Sequence, residues 1–343
     1  MPNIFDLAKE CGVSIATVSR ALNGREEVAQ DTRVAVLKAA RRLGYRPHPT
    51  ARGLKLKRTR TLGLMIASYH ILGSPVPSEI LRGLGETVEK SGYRLLVLSL
   101  GGAGMNHPSH ALADHQVDGL FVLDTSLALV ASVAAANLDL PTVLVNAVKD
   151  PLSGVSSANY EGARLGMRHL LELGHRRIGI LRGPLGNLEA DARWEAWRDS
   201  LLEAGQTPGE DWSEACEFST YAELSTQAEE AAAGRLLERA PTLTALLTSS
   251  DLMALGAYRA AAARGLKVPT DLSVLAFDDT WAGRTCSPPL SILVQDPHRM
   301  GAEAAALLIR HLSGEGGSLT PASRSVIPVK LVPRASTAPP RTS

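Results

Sequence analysis

Apolar residues in the first 45 positions recur at helical spacing. Ile4, Leu7, Ala8 and Cys11 share one face, and Gly12 follows where a helix can end in a left-handed residue. Ser14 is placed to cap a second helix, about 15–22, with Val18 and Leu22 turned inward and Ile15, Ala16, Ser19 and Arg20 outward. A third helix is predicted over about 31–43, with Val36, Ala40 and Leu43 on one stripe and Gly44 as its stop. A helix, a tight glycine turn and a second short helix make a helix-turn-helix, whose second helix has a size that fits the DNA major groove.

From Thr61 the pattern changes. Short, nearly continuous apolar runs, "LGLMIA", "YRLLVLSL", "GLFVL" and "TVLVN", read as strands between helical stretches that begin near Ser78, Pro108 and Ser126. After Asn159 the same alternation resumes with "RIGIL", "ACEF", "LTALLT" and "LSVLAF". Strands apolar on both faces and alternating with helices imply parallel sheets covered on both sides. The fold class expected is therefore a small all-α helix-turn-helix domain followed by a two-lobed α/β core.

Composition sharpens this division. The 343 residues suit two or three domains, and 36 Lys+Arg against 35 Asp+Glu leave a net charge of +1. Up to Arg60 there are 13 positive and five negative residues, a net +8, which leaves −7 for the remainder. A generic three-helix bundle would show the same periodicity, but the order of elements and the +8 favour DNA. Cys11, Cys216 and Cys286 are scattered and lack metal or disulfide spacing, which fits a reducing compartment. Charges at Asp6, Lys9 and Glu10 precede any apolar run of signal length, and polar residues interrupt the weakly charged stretch 119–138. The chain reads as soluble and cytoplasmic, with no membrane partner.

"IFDLAKECGVSIATVSRALNG" followed by "TRVAVLKAARRLGYRPHPTARGLK" resembles the N-terminal domain and hinge of the LacI/GalR family of bacterial transcription regulators. The Gly-Val-Ser, Thr-Val-Ser-Arg, Asn-Gly and Gly-Tyr-x-Pro segments stand at that family's spacing. The resemblance implies that Ile15 and Ala16 are the main base readers, that Arg20 also reaches base edges, and that Ser14, Thr17, Ser19 and Asn23 belong to the same DNA-binding set. Chemically, Ile15 and Ala16 suit thymine methyls, whereas Arg20 can pair bidentately with guanine. Residues 49–56 resemble the family's hinge helix, with Leu54 at the position of the leucine that wedges into the minor groove. Gly53 inside that helix costs roughly 1 kcal/mol relative to Ala. Ala29, where the family usually caps the third helix with serine, forgoes about 1 kcal/mol more.

The resemblance continues through "YEGARLGMRHLLELGHRRIGIL", "RWEAWRDSL", "SSDLMALGAYRAAAARGLKVPTDLSVLAFDDT" and "PPLSILVQD", which are similar to the family's periplasmic-binding-protein-like core. It implies a DNA-binding domain at 1–46, a hinge at 47–60, one lobe from 61–157 and 288–318, and the other from 158–287 and 319–333. Pro-, Ser- and Thr-rich composition predicts a disordered tail at 334–343. A small-molecule effector is expected between the lobes, outside the carboxyl ends of the strands. Arg193 and Asp278 align with the family's effector-binding arginine and aspartate, and Asn146, Asn187 and Ser250 fall at further contact positions. Ser250 replaces a common asparagine, removing a bidentate amide. Phe218 is a candidate stacking residue, with core packing as its alternative, and Tyr69, His70 and Ser74 are expected on the first-strand loop. Replacing Arg193 with alanine is expected to abolish the ligand response while sparing the fold.

Other signals lead elsewhere less directly. Of His107, His110, Asp114 and His115 only His110 and Asp114 have a convincing same-face spacing and no distant fourth ligand declares itself, and Gly101 to Gly104 lacks phosphate-loop order, so no metal or cofactor is expected. No nucleophile elbow, zinc-protease helix or Walker lysine is present, and the chain is not expected to be an enzyme. The expectation is a ligand-responsive regulator, most simply a repressor, binding a near-palindromic double-stranded operator as a homodimer. Its effector would be a sugar, sugar derivative, nucleobase or nucleoside. A solute-binding transport component or a nucleotide-dependent α/β enzyme are the competing readings.

Overall fold

A computed structural model describes residues 2–22, 27–45, 59–100, 117–123, 126–136, 138, 140–218, 226–315, 319–320 and 323–341. The chain divides into two compact units, Met1–Arg60 and Thr61–Ser343.

In the first unit, α1 (Ile4–Cys11) is capped by Asn3, whose Oδ1 accepts from the backbone of Phe5 and Asp6 while the Asp6 carboxylate accepts from Asn3 N. Gly12 ends it at φ 63°, a conformation that a β-carbon would oppose. Ser14 Oγ accepts from Thr17 N at 3.1 Å and opens α2 (Ile15–Leu22). The third helix, α3 (Gln30–Leu43), starts at Ala29 without a side-chain cap, as an alanine there requires. Leu7, Val18, Ala21, Val28 and Val36 form the buried core. Leu22, expected inward, packs half-buried at its edge because the neighbouring Ala21 fills the centre.

The second unit runs β1 (Thr61–Ile66), α4 (Pro75–Lys90), β2 (Arg94–Ser99), β3 (Gly119–Leu123), α5 (Leu127–Ala135), β4 (Thr142–Val145), β5 (Ser153–Ser157), α6 (Asn159–Glu172), β6 (Ile178–Arg182), α7 (Leu188–Glu203), β7 (Ser213–Ala215), α8 (Gln227–Arg239), β8 (Ala245–Thr248), α9 (Asp251–Ala263), β9 (Ser273–Asp278), α10 (Trp281–Thr285), β10 (Ser291–Val294), α11 (Pro297–Ser313), β11 (Arg324–Ile327) and β12 (Lys330–Val332). Two six-stranded sheets result, in the orders β11-β5-β4-β3-β1-β2 and β12-β10-β9-β8-β6-β7. All pairings are parallel except β10 with β12. Each sheet has apolar clusters on both faces, which is why its strands lack polar alternation.

Several boundaries differ from expectation. Helix α4 begins at Pro75 rather than Ser78, since proline needs no donor in a first helical turn. The helix expected near Pro108 lies outside the described residues. The strand β10, expected in the first lobe, pairs with β9 in the second; Ser291 and Ile292 stand beside Leu275 and Ala276. The crossing thus falls between β10 and α11, not at 287. Helix α11 belongs to the first lobe, where it packs so closely on α4 that a β-carbon on Gly83 would sit 1.9 Å from His298 O and one on Gly301 2.0 Å from Ile80 O. The last crossing follows β11, which joins the first sheet beside β5. It is therefore later than 319.

The expected disordered tail is ordered through residue 341. Ser336 is fully buried: its Oγ accepts from Ser291 N at 2.7 Å and donates to Val274 O at 2.6 Å, and its carbonyl accepts from Val274 N. Arg334 pairs with Asp279 at 2.7 Å, and the His175 ring reaches Ala338 O at 2.9 Å. Pro, Ser and Thr composition suggested disorder, but here the hydroxyls bond to the backbone where β9 and β10 begin. Among the described residues, no helix is long and apolar enough to cross a membrane.

Candidate functional site

The first unit presents α2. Val18 and Ala21 are buried against α1 and α3, which leaves Ile15, Ala16 and Arg20 exposed and Thr17 and Ser19 half-exposed. Ile15 is 38% exposed, which leaves an apolar side chain open to an apolar base edge. Arg20 pairs with Glu27 at 3.5 Å on the surface, a contact that solvent screens and an incoming guanine could replace. Ser14 and Thr17 hydroxyls lie 2.9 Å apart at the start of α2, where backbone N–H groups favour phosphate. Asn23 and Leu54 lie outside the described residues.

The second unit holds a cleft of about 470 Å³ between its two sheets, outside the carboxyl ends of the strands. It gathers seven of the nine effector residues expected from sequence: Ser74, Asn146, Asn187, Arg193, Phe218, Ser250 and Asp278. Tyr69 is not among the lining residues; the 3-10 turn Tyr69–Gly73 leaves it 60% exposed and presents Ile71 to the cleft instead. For His70 only the backbone placement in that turn is described.

Asn187 caps α7, accepting from Glu189 N and Ala190 N at 3.1 Å. Ser250 does the same for α9, accepting from Met253 N at 3.2 Å. Both helices therefore direct their N-terminal turns at the cleft. Asn146 and Asp278 sit at positive φ, 68° and 103°, as does Asp279 at 72°. Non-glycine residues rarely hold that conformation, and its concentration at one cleft marks a functional site.

Arg193, aligned with the family's effector-binding arginine, lines the cleft but is held by the protein itself. It is 1% exposed, with Nε donating to Asn159 Oδ1 at 2.9 Å, Nη1 to Ser249 O at 2.5 Å and Nη2 to Glu189 Oε2 at 3.0 Å. The guanidinium lies 4.1 Å from the centroid of the Phe277 ring. Glu189, which the sequence reading did not single out, spans the lobes: its other carboxylate oxygen accepts from Asn146 Nδ2. Leu127 N donates to Gly186 O at 2.8 Å, a second link between the lobes.

Asp278 accepts from Gln295 Nε2 at 2.6 Å. Burial pushes its carboxyl up to about 7, against the opposing pull of Arg193. Asp251, also missed, accepts from Thr280 N, Thr280 Oγ1 and Gly283 N, yet burial still raises its pKa. Asn146 Oδ1 is buried without a hydrogen-bond partner. The cleft thus offers acceptors to a ligand. The histidines at 107, 110 and 115 and Asp114 lie outside the described residues.

Both units match known proteins. Residues 3–48 match the family model "Bacterial regulatory proteins, lacI family", and residues 167–337 match a periplasmic binding protein-like domain. The HTH-type transcriptional repressor PurR of Haemophilus influenzae (strain PittEE) is 32% identical over 343 residues, covering 98% of each chain. Among solved structures, a lac repressor dimer bound to operator and the anti-inducer ONPF is 28% identical with a TM-score of 0.84, covering 98% of this chain and 99% of that one. A transcriptional regulator CelR–cellobiose complex is 30% identical with a TM-score of 0.71, covering 98% and 100%. With a helix-turn-helix at its N-terminus and a cleft between two sheets of mainly parallel strands, this chain belongs to the lacI family of bacterial regulatory proteins.

Proposed function

We propose that the protein is a repressor that binds a near-palindromic operator as a homodimer in the cytoplasm and changes its DNA affinity when a small metabolite occupies the interlobe cleft. The observation that carries this is the pairing, in one chain, of an outward α2 face bearing Ile15, Ala16 and Arg20 with a 470 Å³ cleft lined at strand ends. A two-fold protein matches a two-fold site, each α2 entering successive major grooves. Leu54, outside the described residues, is the proposed minor-groove wedge. Ligand shifts DNA binding only to the extent that it prefers one of two lobe arrangements. The relative named PurR is a transcriptional repressor and CelR is a transcriptional regulator solved with cellobiose; the cleft, with Phe218 at its wall, suits a ligand of sugar, nucleobase or nucleoside size.

The test is selection of an operator from random duplex DNA, followed by fluorescence anisotropy at several salt concentrations. Binding should weaken steeply with salt, and sedimentation should show two chains per site. Absent or salt-independent binding refutes the proposal.

A further inference from the structure

Among the described residues, the ionisable groups lining the cleft are Arg193, Glu189, Glu217, Asp251 and Asp278, four carboxyl groups around one guanidinium. That guanidinium is committed to the protein by Asn159, the Ser249 carbonyl and Glu189, with Phe277 against its face. Glu189 neutralises its charge and, through the other oxygen, accepts one N–H of the Asn146 amide on the opposite lobe. The chain's own carboxylate therefore takes one N–H of each of Arg193 Nη2 and Asn146 Nδ2, the groups that would otherwise meet the acceptor oxygens of an anionic ligand, and sets its negative charge beside the N–H groups that remain. An acceptor stands open there as well. Because Asn146 Nδ2 faces a carboxylate, its amide orientation is determined, and Oδ1 is left buried and without a donor. Asp278 likewise presents a carboxyl group to the cleft.

We propose that Glu189 is a built-in anion that determines selectivity: the cleft admits uncharged or amine-bearing ligands that donate hydrogen bonds, and rejects carboxylate and phosphate ligands. This rests on the cleft being the effector site. Arg193 then acts on the ligand through Glu189 and is a positioning residue. A ligand hydroxyl or amino group that donates to Asn146 Oδ1 and Asp278 would link the two lobes as Glu189 already does. An anion would bring its acceptors against the Asn146 Oδ1 acceptor and its charge beside that of Glu189.

The experiment titrates the full-length protein with inorganic phosphate at constant ionic strength, held with chloride, and follows binding by calorimetry. Wild type should show no saturable binding attributable to the core. Glu189→Gln keeps the shape and removes the charge; it should gain one saturable phosphate site in the millimolar range, at least tenfold tighter than any wild-type response. Because the basic N-terminal unit is identical in both proteins, it contributes equally and cancels in the comparison. Glu189→Ser, smaller and equally uncharged, replaces the glutamine variant should that one misfold, and circular dichroism establishes that the variant tested is folded. A core phosphate site already present in wild type overturns the proposal, as does a folded uncharged variant with no gain. Loss of the effector-site reading itself would show differently, as DNA binding that no small molecule alters, and the gain of phosphate binding does not depend on it.

Discussion

The Arg193–Glu189 pair allows a quantitative test of how the cleft wall is held. Both side chains are almost fully buried, and the arginine makes three hydrogen bonds besides its contact with Phe277. Removing one partner of such a pair leaves the other charge buried and uncompensated, at a cost of about 3–5 kcal/mol. Arg193→Met should therefore lower core stability by that amount, or about 6–10 °C in melting temperature for a unit of this size. This replaces the expectation that an Arg193 substitution spares the fold. The double variant Arg193→Met/Glu189→Leu removes both charges and should cost less than the two single variants together by about 2 kcal/mol or more. It will not be neutral, since Asn159, Ser249 and Asn146 lose partners as well. Urea denaturation of the full chain, followed by tryptophan fluorescence, measures the cycle; Trp197 is buried in the same lobe. A single-variant loss below about 1 kcal/mol, or strict additivity in the double variant, would show that the pair is not the unit described here.

Four further outcomes are expected. Arg20→Ala should cost about 1–3 kcal/mol at one base position of the selected operator and little on non-specific DNA, measured by anisotropy; an equal loss on both would make Arg20 a phosphate contact. Asp278, pushed up to about 7, retains a proton in the folded state that the unfolded carboxyl, near 3.9, has released, so stability should fall as pH rises from about 4 to 7. Asp278→Asn should flatten that part of the melting profile, and parallel profiles would count against it. Ser336→Ala removes two buried hydrogen bonds and should cost about 1–3 kcal/mol, whereas a disordered tail would give no change in melting temperature. Gly83→Ala forces a β-carbon against His298 O and should destabilise by about 3 kcal/mol, read by thermal melting; a change under 1 kcal/mol would mean that α4 and α11 separate easily.

Much of the fold was legible because its elements are locally specified. The three N-terminal helices carry both their stops and their inward stripes in sequence, with Gly12 and Gly44 in left-handed conformation where the pattern ended. The core strands are apolar on both faces, a signal that survives without tertiary information. What failed was the assignment of strands to sheets. The apolar run Ser291–Val294 could join either lobe, and only its register against β9 decides. The edge strands Arg324–Ile327 and Lys330–Val332 are half-exposed and carry charges, so neither resembles a core strand. The tail was misread because its order comes from hydroxyl-to-backbone bonds at Ser336 rather than from apolar periodicity.

The cleft shows the same limit at the level of single residues. Positions at strand ends could be named in advance, and seven of them converge. Glu189 could not, because a glutamate in the first turn of a helix, four residues before an arginine, is the ordinary pattern of a solvent-exposed pair that complements the helix dipole. Two contacts from the other lobe change its meaning: Asn146, held at φ 68°, reaches its carboxylate, and Leu127 N bonds to Gly186 just before the helix. With the helix start fixed in that way, a surface ion pair becomes part of a buried link between lobes. Arg193, read from sequence as the group that binds the ligand, is then neutralised before any ligand arrives, and an open acceptor, Asn146 Oδ1, belongs to the same cleft. Ligand preference in this cleft is consequently set less by its arginine than by the carboxylate four residues before it.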